Sequence, residues 1–396
     1  MDSFKYVNHV EVLFGAGSRK QIIDLIQDHY SKVLFLCAKG PFRDNGLFDE
    51  ISSLIKAGGA EVFEMNDIDQ NPRLSSARVG MEICANNAID CVVALGGGSA
   101  MDCAKLIAAS GKTGIDPYEY VFGDRPAVTD SIDTIMIPTI SATGTECNPS
   151  AVIVNDETKE KYYCDCFFAK YAILDPEITV SVPLKLAIWG AMDILSHTFE
   201  YYFNGFGSAW FQTEFSEAII RSTMKAVEKM VEDPSDLNAR GELMWDAIMA
   251  WGGLTKIGRG NPDMTCHSIE ESFSGWFDTH HGACLGILTP RWMDIVCKKR
   301  PDVFARFARE VMRVNNDNDE EAAVEGVRAY KNWLISVGAP NVYSDIGNRD
   351  FDEENLRHVA DTALRIYHGE IGRLYRFTPE EIMDLLRAGN VAYVKA

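Results

Sequence analysis

Two apolar runs, KVLFLCA at 32–38 and DCVVALGGG at 90–98, limit what this chain can fold into more than anything else in it. Both are rich in β-branched and apolar residues without alternation, and both end in small residues. That is the pattern of strands buried on both faces of a parallel sheet. A helical pattern over Leu74–Asn86 lies between them, and TIMIPTI (134–140) and YAILDP (171–176) extend the series of strand candidates. Strands alternating with helices predict a parallel or mixed α/β sheet covered on both faces. After Pro183 the period changes. SEAIIRSTMKAVEKMVEDP, LMWDAIMAW, PDVFARFAREVMRV, EEAAVEGVRAYKNWLISVG and TPEEIMDLLRAG carry apolar residues every three to four positions, as amphipathic helices do. Thr378-Pro379-Glu380-Glu381 adds an N-cap, a first-turn proline and early acids. A chain of 396 residues exceeds the size of one hydrophobic core. The expectation is an α/β domain over residues 1–184 and an all-helical domain over 185–396.

Charge and cysteine usage exclude several classes. A formal net charge of −20 disfavours nucleic acid and anionic membrane surfaces as partners, since both would repel it. The N-terminal MDSFKYVNHVEVLFGAG lacks the basic segment and apolar run of a signal peptide, and no window holds about 18 uninterrupted apolar residues. The ten cysteines are scattered, with no C-x-x-C pair and only Cys164-Asp165-Cys166 closely spaced. Reduced thiols in a cytoplasmic protein are expected.

Two small-residue loops follow strand candidates. ALGGGSAMDCAK (94–105) sets Gly96, Gly97, Gly98 and Ser99 between a strand and a helix beginning near Ala100. Glycines let backbone approach an anion, and free N–H groups at a helix start bind phosphate oxygens. The spacing matches neither G-x-G-x-x-G nor the Walker pattern, so a tight turn without ligand stands equally on this segment alone. IPTISATGTEC (137–147) supplies Thr139, Ser141, Thr143 and Thr145; two such loops at strand ends point to a shared ligand crevice.

Histidines mark the second half. In AMDILSHTFEYY (191–202), Asp193 and His197 are four apart and share a helix face. In TCHSIEESFSGWFDTHHG (265–282), His267 and His281 would stand about 21 Å apart on one continuous helix, too far to share an ion. Both are ligands only if the chain breaks, and Gly275 followed by a cap at Asp278 or Thr279 offers that break. Carboxylate with imidazole suits Fe(II) or Zn(II). Satisfied polar residues on helix faces are the competing reading.

Taken together, the segments resemble the iron-containing alcohol dehydrogenase family over nearly the whole chain. The run NPR…D.VVALGGGSAMDCAK resembles its nucleotide signature, PTISATGTE its nicotinamide-side loop, and D…H with H…HG its metal ligands in order and spacing. The likeness is greatest to the butanol dehydrogenase and broad-range aldehyde reductase branch, where CH.IEH.LS is typical. It implies a dehydroquinate synthase-like fold, with an α/β dinucleotide-binding domain followed by a helical metal domain. It also implies Asp193, His197, His267 and His281 as metal ligands; Gly97, Gly98, Ser99 and Asp102 on the pyrophosphate; and Thr139 and Thr143 on the nucleotide. Lys159 falls at the ribose-binding lysine in an ungapped alignment, with Lys161 the alternative, and His280 matches no ligand and is expected to be a solvated neighbour. The implied activity is metal-dependent hydride transfer between NAD(P)H and a small aldehyde or primary alcohol, and homodimers are common in the family. A polyol dehydrogenase, a lyase on the same fold and a non-catalytic relative are the alternatives. Two positions depart from relatives. Ala38, followed by Lys39 and Arg43, stands where NAD-specific relatives carry an aspartate, which favours NADP(H). Glu271 stands where the branch carries a second histidine, and is expected to line the site without ligating.

Overall fold

The computed structural model describes residues 2–204, 209–347 and 349–395. Its central sheet comprises β1 (Glu11–Phe14), β2 (Lys32–Ala38), β3 (Glu61–Ile68), β4 (Cys91–Gly96), β5 (Asp133–Pro138) and β8 (Tyr171–Leu174); β6 (Ser150–Val154) and β7 (Lys161–Asp165) form a separate antiparallel hairpin. The sheet order is β1-β8-β5-β4-β2-β3, parallel throughout.

The unbroken apolar runs now have a cause. Val33, Phe35 and Cys37, with Cys91, Val93 and Leu95, enter one core with Phe48, Ile51 and Ile55. Leu34, Leu36, Val92 and Ala94 enter the other, with Met101, Leu106 and Ile107 from helix Gly98–Thr113. Each strand feeds both faces, so neither parity can be polar. β1, β3 and the hairpin escaped the sequence reading because they are part-exposed, β1 and β3 being the edge strands of the sheet. The chain runs outward from β2 to β3, then returns to the other side of β2 and continues through β4 to β5. The ends of β2 and β4 therefore flank a topological switch point, where α/β sheets hold ligands.

Among the described residues, every element after Pro183 is helical. Helix Leu184–Asn204 is buried continuously from Ala187 to Phe203, which makes it the central helix of its unit and forces its polar residues to find partners inside. The expected cap at Thr378 is present as a capping box with Glu381 and Pro379 in the first turn.

The chain forms two compact units: Val7–Val182 with Ser235–Ile248, and the residues through Tyr6 with Pro183–Pro234 and everything from Met249 onward. The boundary expected between 184 and 185 thus lies beside the Val182/Pro183 junction, while the returning segment has no counterpart in a linear division. Buried Arg240 shows why the segment belongs with the sheet: its guanidinium donates to the carbonyls of Thr179 and, at 3.3 Å, Val182.

Candidate metal and nucleotide sites

Asp193 and His197 lie four residues apart on the buried helix Leu184–Asn204. His267 is on helix Thr265–Phe277, and His281 opens helix His281–Val296. The break between them is real but placed differently from the expectation. The first helix runs through Gly275 and stops at Asp278, which takes a left-handed φ of 52° and donates its N–H to the Ser274 carbonyl; no side chain caps the second helix. A two-residue step then brings His281 round. Gly282 lets it arrive: a Cβ there would strike the Trp189 carbonyl and stand 3.2 Å from Asp193 Cβ. The glycine of the HHG sequence is thus a close-approach residue between two helices.

Asp193 Oδ1 lies 3.5 Å from His197 Nδ1, from His267 Nε2 and from His281 Nε2. Two donor atoms each about 2.1 Å from a tetrahedral metal are separated by about 3.4 Å, so this is the spacing of a coordination shell. Asp193, His197 and His267 each offer an atom within 4.8 Å of the others. Both Asp193 oxygens, His197 Nδ1 and His267 Nε2 are buried without a hydrogen-bond partner. Orphaned buried polar atoms are expensive, and a divalent cation satisfies all of them at once. The donors fit the ion.

The charges agree. Burial alone would raise the Asp193 carboxyl, but the imidazoles of His197, His281 and His267 hold it well below the usual range. Burial pushes His197 down to about 3, leaving a neutral ring with a lone pair to give. Burial also pulls on His267, but Glu200 and Asp193 outweigh it and drive that imidazole well above its ordinary value.

Two acids outside the expected ligand set, Glu200 and Glu270, complete the cluster. Glu200 accepts from His267 Nδ1 at 2.5 Å, and Glu270 accepts from His281 Nδ1. The signal for Glu200 was available: it follows Asp193 by seven residues and His197 by three, so all three share one face of a mostly apolar helix. Glu271, one turn beyond His267, is buried and accepts from the Tyr367 hydroxyl, outside the group of Asp193, His197 and His267. His280 is half-buried with its ring 5.1 Å from that of Trp189, packed rather than solvated.

In the sheet unit, Ala38 ends β2 beside the glycine turn, 2.6 Å from where a Cβ on Gly96 would stand. Helix Gly98–Thr113 begins at N-cap Gly97 with no side-chain cap, which leaves its leading N–H groups available to an anion. A Cβ on Gly98 would meet Thr143 Cγ2 and Oγ1 at 2.8 Å, so the two small-residue loops lie against each other. Buried Thr139 joins them, donating its N–H to the Gly96 carbonyl at 2.9 Å. Ser99 turns its hydroxyl to the Gln70 carbonyl. Asp102 is buried and engaged elsewhere: it accepts from Thr145 Oγ1 at 2.5 Å and from the Val152 N–H at 3.0 Å, tying the helix to the hairpin. Lys159 is exposed in the hairpin turn, with φ 63° and its ammonium on the Asp156 carbonyl at 2.7 Å. Lys161 is buried, 3.3 Å from Asn71 Oδ1 and thus beside the segment that holds Ser99.

An uncapped, glycine-led helix at a parallel-sheet switch point and a buried carboxylate–imidazole cluster in a helical unit are the features of a two-unit enzyme that binds a phosphate-bearing ligand and a divalent metal. Residues 10–176 match the family described as iron-containing alcohol dehydrogenase, and residues 187–389 match the Fe-containing alcohol dehydrogenase family, C-terminal. The chain belongs to the iron-containing alcohol dehydrogenase family. It is 33% identical over 393 residues to NADH-dependent butanol dehydrogenase A of Clostridium acetobutylicum, covering 98% of this chain and 99% of that one. It is 28% identical to the NADPH-dependent aldehyde reductase YqhD of Escherichia coli, over 88% and 90% of the two chains. The crystal structure of NADH-dependent butanol dehydrogenase A from Thermotoga maritima superposes with a TM-score of 0.92 at 33% identity, over 99% of both chains. Among the described residues no helix is long and apolar enough to cross a membrane.

Proposed function

We propose that this protein interconverts small aldehydes and primary alcohols with NAD(P)(H), holding Fe(II) or Zn(II) through Asp193, His197, His267 and His281. The observation that carries the reading is the set of three imidazole nitrogens, each 3.5 Å from one buried carboxylate oxygen. When bound, the ion supplies Lewis acidity toward the substrate oxygen and the nicotinamide supplies or accepts the hydride. The chain's own part is positional. Asp193 stays ionised and His197 neutral, so both present lone pairs without first losing a proton. The N–H groups led by Gly98 and Ser99 take the pyrophosphate, with Gly97 shaping the turn and Thr139 and Thr143 alongside. The buried Lys161 is the better ribose contact than Lys159, whose ammonium already closes its own turn. Asp102 acts by bracing the helix that receives the phosphate. Glu271 stands beside the site, outside the ligand set.

NADP(H) is the preferred carrier in this reading, on the strength of Ala38: no carboxylate stands there to bind a ribose 2′-hydroxyl or repel a 2′-phosphate. The neighbouring cations add little, because Lys39 pairs with Asp69 at 3.6 Å and Arg43 with Glu64 at 2.9 Å. Ala38→Asp should move the NADPH/NADH ratio of kcat/KM toward NADH by roughly tenfold, the scale of one charge-assisted hydrogen bond. A higher kcat/KM with NADH in the wild type overturns the preference. All ten cysteines are free, which supports a reducing, cytoplasmic setting, and the resemblance supports a homodimer, to be checked by light scattering.

The deciding experiment strips the protein of metal, restores Fe(II) or Zn(II), and follows nicotinamide absorbance across an aldehyde panel. Turnover that returns with the ion supports the proposal. Full activity in metal-free protein overturns it.

A further inference from the structure

We infer that Glu200 and Glu270 are positioning residues: they hold the ligand nitrogens of His267 and His281 forward and thereby set how tightly the site keeps its metal. The inference rests on the ligand set proposed above and concerns a layer outside it.

An imidazole has two nitrogens, and what binds one decides what the other can do. Glu200 accepts from His267 Nδ1 at 2.5 Å, and Glu270 accepts from His281 Nδ1. A carboxylate at Nδ1 fixes the proton there, makes Nε2 the lone-pair nitrogen and raises its basicity. In both residues that Nε2 is the atom 3.5 Å from Asp193 Oδ1. Two independent carboxylate–imidazole pairs thus aim at one oxygen, from separate helices.

His197 shows why only two need such a partner. It shares helix Leu184–Asn204 with Asp193, so backbone geometry alone sets the pair, and its ring is held between Trp251 (centroids 4.8 Å apart) and His267 (4.5 Å). His267 and His281 arrive on other elements, on either side of a chain break, and have no such built-in register.

Stability does not explain the acids. Glu200 and Glu270 are 4% and 0% exposed, and Glu200 Oε2 is buried with no hydrogen-bond partner. A half-satisfied buried carboxylate costs folding free energy. Its return lies in the ring it orients. Partners of this kind typically contribute 10–100-fold in metal affinity, roughly.

The test measures Co(II) and Zn(II) affinity by chelator competition on metal-stripped, full-length protein: wild type, Glu200→Gln and Glu270→Gln. Each variant should bind about 10–100-fold more weakly, shift the visible Co(II) absorption and lose metal faster to chelator. The rise in melting temperature that metal produces should be smaller in each variant than in the wild type. Wild-type affinity with an unchanged Co(II) spectrum in either variant overturns the inference, as does a metal-free melting temperature that falls with no loss of affinity. Should a glutamine variant not fold, the aspartate at the same position keeps the charge and shortens its reach. It must still bind more weakly, and wild-type affinity there overturns the inference. A wild type that binds neither ion refutes the ligand set itself, which separates that failure from this one.

Discussion

At the ends of β4 and β5 the proposed nucleotide contacts are backbone N–H groups and hydroxyls on contiguous segments; in the helical unit the proposed metal ligands are four side chains spread from Asp193 to His281 on three helices. The first arrangement depends on what is missing, since a Cβ on Gly98 would press on Thr143. The second depends on what is present. Their buried carboxyls differ just as sharply. Asp193, ringed by imidazoles, is held well below its ordinary value, whereas burial lifts Glu146, in the loop that carries Thr143, to about 7. In one region the imidazoles around Asp193 keep that acid charged. The other offers its buried acid too few cations to keep it so.

His267→Ala should break the metal side most completely. It removes one donor and the partner of Glu200, so metal content should fall below stoichiometric and turnover should drop by roughly 10³-fold, the several kcal/mol that a Lewis acid supplies. Near-wild-type turnover in the variant, with no metal bound, contradicts the ligand set. Gly98→Ala probes the other side. It should raise the nucleotide Kd about 10–100-fold by forcing the phosphate turn and Thr143 apart, with metal affinity untouched. Loss of metal in this variant would mean the two regions are not separable.

Glu271→His sharpens the comparison within the metal side. It restores a group that titrates near neutrality one turn from His267, so the pH–rate profile should gain an inflection of a few-fold between about pH 6 and 8. Metal content should stay unchanged; an unaltered profile shows that Glu271 takes no part. The smallest effect belongs to Glu146. Its folded-state value, about 7, lies above the unfolded 4.5. Stability is therefore full below the unfolded value and declines as pH rises toward 7. Glu146→Gln escapes that decline, so its melting temperature relative to wild type should rise between pH 5 and pH 8, by at most about 3 kcal/mol in stability. A pH-independent difference rejects the burial argument.

The same contrast governs what could be read from the sequence. KVLFLCA was legible to the residue as β2, and the run at 90–98 holds β4 as Cys91–Gly96, with Asp90 before it, Gly97 as the next helix's N-cap and Gly98 as that helix's first residue. Contiguity is why: strand, turn and helix start are neighbours in the chain. The Asp193–His197 pair was legible for the same reason, being one helix turn. The meeting of His267 and His281 with them was not, since it depends on how three helices pack, and only family resemblance supplied it. Gly275 misled because its cost within a helix is small, roughly 1 kcal/mol, and packing around a buried turn overrides it. An ungapped alignment could not separate Lys159 from Lys161, because it does not show that Lys159 occupies a left-handed turn position while Lys161 starts β7 and is buried.

Segment 235–248 carries a consequence for how the chain is made. The sheet unit lacks Arg240 on the Thr179 and Val182 carbonyls, and Trp245 against the Phe14 ring, until that segment exists. On the ribosome the strands emerge first, but by the time residue 248 is out, the chain from Pro183 to Pro234, which belongs to the other unit, has already been synthesised. The usual order, in which an N-terminal domain closes before its successor appears, is therefore unavailable. A nascent chain stalled at 182 should remain protease-sensitive, and two polypeptides cut there would have to trade a helix to be whole.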